Sequence, residues 1–160
     1  RRHTRFRNVT GVQTCALPIY WDTGGNGEAV ILLHAGTQSA AGWVYQQPVL
    51  AQAGYRVIAY SRRGYYRSEG GDASNPGTGS EDLHALVTHL QLDKVHLVGA
   101  AQGAFFAVDY ALEYPHKVRS LAIVSSYLGI IDADYAAVNA RLRPEFFAKL
   151  PHDFQELSPS

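Results

Sequence analysis

Three small residues, Gly99, Ala101 and Gly103, stand at alternate positions where an apolar strand-like run meets a helix-like run. Glycine-x-serine-x-glycine at such a junction is the spacing of a nucleophile elbow, a strained turn that lifts a hydroxyl above a sheet for attack on a carbonyl carbon. The flanking positions must be small because this turn brings backbone close to backbone. The sequence therefore predicts the turn without its nucleophile. A small-residue helix start with no site is the alternative interpretation of this stretch alone.

The elements around this turn are predicted to alternate between strands and helices. Continuous apolar runs are typical of parallel strands that are covered on both faces. Three such runs occupy residues 29–33, 57–60 and 121–124, and Val95, Leu97 and Val98 suit a fourth buried strand. Apolar residues at helical spacing occupy residues 81–90, then 102–113 before the stop at Tyr114-Pro115, and then 132–150. This order favours an α/β architecture with helices between parallel strands.

Two loops complete the pattern. His34-Ala35-Gly36 follows the first strand, and a glycine-bearing loop from Ser61 to Ser68 follows the second. With the turn at residues 99–103, these motifs and their order over residues 20–129 resemble the α/β-hydrolase family, in which they are the oxyanion loop, the Asp-x-Arg-Gly-x-Gly-x-Ser loop and the nucleophile elbow. The sequence departs from the family pattern at Ala35, Ser61, Tyr66 and Ala101. The resemblance implies a partial α/β-hydrolase fold, a mostly parallel sheet flanked by helices, with the C-terminal strands missing.

The resemblance also implies which groups would act on a substrate. Backbone N–H donors beside an elbow polarise a carbonyl oxygen, and here they would be those of Gln102 and of Gly36 or Thr37. Because Ala101 offers no hydroxyl, an acyl-enzyme cannot form there. A histidine would then activate water directly. The alanine elbow is similar to that of aminoacrylate hydrolases in the same superfamily.

The acid and the base are less defined by the sequence. His34 is interpreted as a structural member of the oxyanion loop, with a catalytic role as the alternative. Asp132 is a candidate acid, because some family members carry theirs shortly beyond the strand at residues 121–124, and a helix cap is the alternative. Asp82 is interpreted as a solvated helix residue and Arg63 as part of a structural loop. The resemblance places the catalytic histidine after the last residue of this chain.

Composition limits the class of partner. The chain has 160 residues, 46% of them apolar, no formal net charge and a pI near 7.2. These values predict one globular domain and give no electrostatic reason for a nucleic-acid or membrane partner. A small-molecule substrate is what the family resemblance implies. No histidine, cysteine and carboxylate spacing indicates a metal site, and no cofactor is implied. Cys15 is the single cysteine, which excludes an internal disulfide and is consistent with a cytoplasmic location.

Three segments are predicted along the chain. Residues 1–19 are excluded from the fold as a non-native scar, because residues 9–19 resemble one reading frame of a sequencing-library adapter. Residues 20–130 form the core, and residues 131–160 begin a helical cap. Family topology places the strand at residues 121–124 in mid-sheet, so this chain is expected to expose an apolar edge there and to self-associate.

Three functions fit these observations. The first is a hydrolase acting on a small carbonyl substrate, such as an ester, lactone or amide, with water replacing the serine. The second is a non-catalytic relative that keeps the pocket to bind a small apolar ligand. The third is a Ser-to-Ala variant of an active serine hydrolase. A late histidine and its acid in the complete gene would separate the first from the second.

Overall fold

A computed structural model describes the backbone of residues 5–7 and residues 19–71, 73–74, 76–126, 128–129, 132–142, 146 and 149–151. The chain divides into two compact units, Arg1–Ser126 and Tyr127–Ser160. Of the residues excluded from the fold as a scar, Arg5–Arg7 form a strand of the sheet, and Ile19 hydrogen-bonds to Ser61 and Ser68. The rest of the adapter-like segment, residues 9–18, lies outside the described residues. Its non-native origin, and the predicted segment boundaries at residues 19 and 130, stay predictions.

A six-stranded sheet forms the centre of the first unit. Its strands are β1 (Arg5–Arg7), β2 (Tyr20–Asp22), β3 (Ala29–Leu33), β4 (Arg56–Tyr60), β5 (Val95–Ala100) and β6 (Val118–Val124). They lie in the order β1-β2-β4-β3-β5-β6. The four strands β3 to β6 pair in parallel, whereas β2 is antiparallel to both β1 and β4. The predicted mostly parallel sheet is confirmed.

The helices are α1 (Gln46–Gln52), α2 (Gly79–His89), α3 (Gln102–Glu113) and, in the second unit, α4 (Ala133–Leu142). The start of α2 is fixed by a capping box: Thr78 Oγ1 accepts from the N–H of Glu81 at 3.1 Å, and Glu81 Oε2 accepts from the N–H of Thr78 at 2.7 Å. Among the described residues, no helix is long and apolar enough to cross a membrane.

Alternate side chains of β3 enter two separate cores, which explains its continuous apolar run. Ile31 and Leu33 pack in a cluster that includes Leu83 of α2, while Val30 and Leu32 pack in another with Trp43. A strand covered on both faces has no solvent-facing position where a polar side chain would be stable. This double burial holds the carboxyl end of β3, and the loop that follows it, in a fixed place.

The last strand of the sheet has a different environment. Among the described strands, β6 pairs with β5 alone. Leu121 and Val124 on β6 are 38% and 44% exposed. These apolar side chains at an open edge fit the expectation that this chain self-associates, which stays a prediction.

The helix of the second unit is shorter than expected. The apolar pattern predicts a helix over residues 132–150, but α4 ends at Leu142. Pro144 lies two residues further on, where its ring and its missing N–H oppose continuation of the helix. Residues 143–145 and 147–148 lie outside the described residues.

Candidate active site

The turn between β5 and α3 has the backbone of a strained elbow. Its apex, Ala101, has φ 47° and ψ −113°, a region that residues other than glycine rarely adopt. The turn is anchored on the sheet, because the N–H of Ala101 donates to the carbonyl oxygen of Val124 at 2.9 Å. The predicted sharp strand-to-helix turn is therefore present.

The two outer glycines are required by close backbone contacts. A Cβ on Gly99 would lie 2.6 Å from Cα of Ala104. A Cβ on Gly103 would collide with the carbonyl oxygens of Leu33 and His34. Because backbone atoms cannot move aside as a flexible side chain would, both positions admit glycine only. The spacing of these glycines was thus a reliable signal for the turn.

Replacing Ala101 by glycine is expected to raise the free energy of unfolding by about 1 kcal/mol. Relief of the strain at a positive φ contributes about 1–3 kcal/mol, and the greater freedom of glycine in the unfolded chain offsets about 0.5–1 kcal/mol of it. Urea unfolding of both proteins measures the difference. The matched control is Ala104→Gly within α3, which should lower stability by about 1 kcal/mol. A loss of stability on Ala101→Gly would contradict the strain.

His34 lies directly after β3 and is fully buried. Its Nε2 accepts from the N–H of Arg62 at 3.0 Å, and its Nδ1 donates to the carbonyl oxygen of Ala35 at 2.7 Å. These partners assign the neutral ring with the proton on Nδ1. Burial, the largest effect, lowers the pKa of His34 to about 4, and the nearby Arg62 charge acts in the same direction. His34 thereby ties the loop after β3 to the loop after β4.

Gly36 lies against the first residue of α3. A Cβ on Gly36 would lie 2.9 Å from Oε1 of Gln102. That oxygen accepts from Arg62 Nη2 at 3.0 Å and from the Tyr65 hydroxyl at 3.3 Å. The structure therefore brings His34, Gly36 and Gln102 together at the carboxyl ends of β3 and β4, beside the Ala101 turn.

Asp132 lies in the second unit. Its Oδ1 accepts from the N–H of Tyr135 at 2.8 Å, and its carbonyl oxygen accepts from the N–H of Ala136 at 2.9 Å. These are the hydrogen bonds of a residue that caps the start of α4. Both contacts lie within the second unit, and they agree with the interpretation of Asp132 as a helix cap.

The interpretation of Asp82 as solvated is wrong. Its side chain is 3% exposed, and its two oxygens accept from Arg63, Nε to Oδ2 at 2.9 Å and Nη2 to Oδ1 at 2.5 Å. This bidentate pair fastens the loop after β4 to α2. Helical periodicity alone gave no sign of it, because the partner comes from another element.

Arg62 is the site residue that sequence reasoning missed. It is only 5% exposed, and its guanidinium lies over the rings of Tyr65 and Phe106, at 4.7 Å and 4.5 Å from their centroids. Burial lowers its pKa. The available signal was its position, since a charged residue two positions after a buried strand lies at the carboxyl edge of the sheet.

Comparisons with known proteins agree with this arrangement. A family model described as alpha/beta hydrolase fold matches residues 28–158. The chain belongs to this family. It is 39% identical over 135 residues to the 2-hydroxy-6-oxononadienedioate/2-hydroxy-6-oxononatrienedioate hydrolase of Burkholderia vietnamiensis, covering 79% of this chain and 46% of that protein. It is 29% identical to the 2-hydroxy-6-oxo-6-phenylhexa-2,4-dienoate hydrolase of Comamonas testosteroni, over 76% of this chain and 44% of that one.

Solved structures of the family show the same fold. The bromoperoxidase of Bacillus anthracis superposes with a TM-score of 0.60 at 29% identity, covering 82% of this chain and 53% of that one. This chain of the α/β-hydrolase family thus spans less than half the length of the two hydrolases and about half of the bromoperoxidase. Among the described residues, no three histidine, cysteine or carboxylate side chains are grouped so that they could hold a metal ion.

Proposed function

We propose that this chain is part of a hydrolase that acts on a small carbonyl substrate, an ester, lactone or amide, with water in place of a serine nucleophile. The observation that carries the proposal is the strained backbone of Ala101, which keeps φ 47° although its side chain is a methyl group. Strain of this kind persists only where the surrounding structure holds it. Ala101 would then occupy the nucleophile position without reacting.

The catalytic contribution assigned to this chain is stabilisation of an oxyanion. The N–H of Gln102, the first residue of α3, precedes the first acceptor that the helix itself supplies and lies at the positive end of the helix dipole. Gly36 brings a second loop against Gln102, so its N–H or that of Thr37 is the proposed second donor. Removing one such donor costs on the order of a hundredfold in rate.

The base that activates water is assigned to a residue outside those described. Both ring nitrogens of His34 already have hydrogen-bond partners, and a pKa of about 4 makes it a weak base. His34 is therefore proposed as a positioning residue for the oxyanion loop. Asp132 stays the proposed acid, with its capping of α4 as the alternative role.

The proposal predicts that the complete protein hydrolyses p-nitrophenyl acetate above the buffer rate, without an initial burst and without labelling by a serine-directed fluorophosphonate. Both negative results follow from the absence of a nucleophilic atom at Ala101. Mass spectrometry measures the labelling, and stopped-flow absorbance measures the burst. Absence of hydrolysis would favour a non-catalytic ligand-binding relative, and labelling of the wild-type protein would contradict the role of Ala101.

The same reagents distinguish the effect of a missing nucleophile from the effect of a missing base. In the 160-residue chain, Ala101→Ser is expected to stay unlabelled, because an unassisted hydroxyl is a weak nucleophile. In the complete protein, the same substitution should be labelled if a base reaches the new hydroxyl, as expected for a Ser-to-Ala variant of a serine hydrolase. Rapid labelling of the Ala101→Ser chain would show that the base lies within it, most directly at His34.

A further inference from the structure

Arg62 is a buried cation that has no carboxylate partner among the described residues. Its side chain hydrogen-bonds to neutral oxygens, with Nη2 donating to Gln102 Oε1 at 3.0 Å and to the Ala35 carbonyl at 3.4 Å. Within the described part of the chain, the buried Nε has no acceptor at all. A guanidinium stays charged in proteins, and burying a charge without a counter-ion is costly.

The neighbouring arginine shows what a structural cation in this fold looks like. Arg63 is paired with Asp82 through two hydrogen bonds and is neutralised by it. If Arg62 served only to hold the loop after β4, a carboxylate or a full set of acceptors would be expected around it as well. Instead, the two aromatic faces of Tyr65 and Phe106 hold its guanidinium in place.

Arg62 faces an open space. A cavity of about 220 Å³ is lined by Arg62, Arg63, Asp82, Tyr65, Gln102 and Phe106 among others. The charges of Arg63 and Asp82 cancel, so the lining carries one excess positive charge. Gln102, the first residue of α3, also lines it, and a helix N-terminus favours an anion.

The cavity is large enough for a small organic anion. A water molecule occupies about 30 Å³ of liquid volume, so the space exceeds what one or two trapped waters would fill. A planar carboxylate matches a guanidinium, which donates from several nitrogens in a fixed plane.

We infer that this cavity binds the carboxylate group of a small organic acid, with Arg62 as its counter-ion. Resting on the proposed function, the inference makes that acid the substrate and Arg62 a substrate-binding residue beside the Ala101 turn. Binding of the carboxylate to Arg62 can be measured whether or not the protein hydrolyses a substrate. The substrate would then carry a carboxylate in addition to the carbonyl that is attacked.

The test compares benzoate with benzamide, which has the same shape and no charge. Both are titrated into the ¹⁵N-labelled complete protein while the amide signals of residues around the cavity are followed. Benzoate is expected to bind at least about tenfold more tightly than benzamide, because the charge-assisted hydrogen bond is present for benzoate alone. Arg62→Gln should lower the benzoate affinity by about tenfold or more and leave that of benzamide within about twofold.

The matched control is Arg67→Gln, which removes the same charge from an exposed arginine on the same loop. It should leave benzoate affinity within about twofold. Arg62→Lys keeps the charge in case the glutamine variant is unfolded, and it should bind benzoate more weakly than the wild type, because an ammonium lacks the planar set of donors. Unchanged wild-type spectra with benzoate, equal affinity for the two probes, or equal losses from Arg62→Gln and Arg67→Gln would each overturn the inference.

Failure of the carboxylate site and failure of the proposed function give different results. Benzoate binding without ester hydrolysis by the complete protein would leave Arg62 as the anchor of a ligand-binding relative. Hydrolysis without benzoate binding would keep the proposed function and reject a carboxylate on the substrate.

Discussion

Replacing Arg63 by methionine is expected to lower the free energy of unfolding by about 3–5 kcal/mol, because it leaves the Asp82 carboxylate buried without this guanidinium. Asp82 is 3% exposed, so its carboxylate would lose the bidentate partner while most of its surface stays out of water. Urea unfolding followed by far-UV circular dichroism measures the change.

Arg62→Met is the matched control for this prediction. The two arginines are adjacent, and the substitution removes the same number of atoms and the same charge. Because Arg62 has no carboxylate partner among the described residues, its removal leaves no buried anion behind, and stability is expected to change by less than about 1 kcal/mol. Equal losses from the two variants would contradict the difference drawn between a paired and an unpaired cation.

The second large effect is a loss of stability in acid that depends on His34. In the folded chain its pKa is about 4, against 6.5 when unfolded, so the unfolded chain binds the extra proton first as pH falls. Its contribution is complete above pH 6.5 and is lost progressively as pH falls towards 4. The loss amounts to about 3 kcal/mol, from about 1.4 kcal/mol for each pH unit between the two values.

A difference measurement isolates this histidine from the other titrating groups. The free energy of unfolding is measured between pH 7.5 and 4 for the wild type and for His34→Gln, and the two curves are subtracted. Glutamine keeps a side chain that can accept from the N–H of Arg62 but cannot take up a proton. The difference should shrink by about 3 kcal/mol towards pH 4. Parallel curves would show that the buried ring does not resist protonation.

The parts of the fold that the sequence predicts well are those determined by burial on both sides of a chain segment. The run at residues 29–33 predicted a strand covered on both faces, and Gly99 and Gly103 predicted a turn with close backbone contacts, and the structure has both. Both signals are local, because the residues that carry them are neighbours in the chain. The end of α4 was less predictable, since the apolar pattern continued past the helix and only Pro144 marked the limit.

The candidate site was only partly predictable, because several of its contacts join residues that are far apart in the sequence. Gly36 and Gln102 could be placed together by the order of the motifs, and the structure puts one against the other. The pairing of Arg63 with Asp82, and the burial of Arg62 between two rings, join elements that are separated along the chain. Hydrophobic periodicity indicates which face of a helix is buried, but it does not indicate which charged side chain of another element packs against that face.

The turn at Ala101 also bears on how this protein could change in evolution. Its backbone is held by the glycines at 99 and 103, so its shape does not require a particular small side chain at the apex. Alanine and serine codons differ by a single base. One point mutation would therefore exchange an inert methyl for a hydroxyl at this place without any compensating change in the fold, and the reverse mutation would be equally accessible. A lineage with such a turn can lose a reactive group and regain it as selection changes, as long as the two glycines are kept.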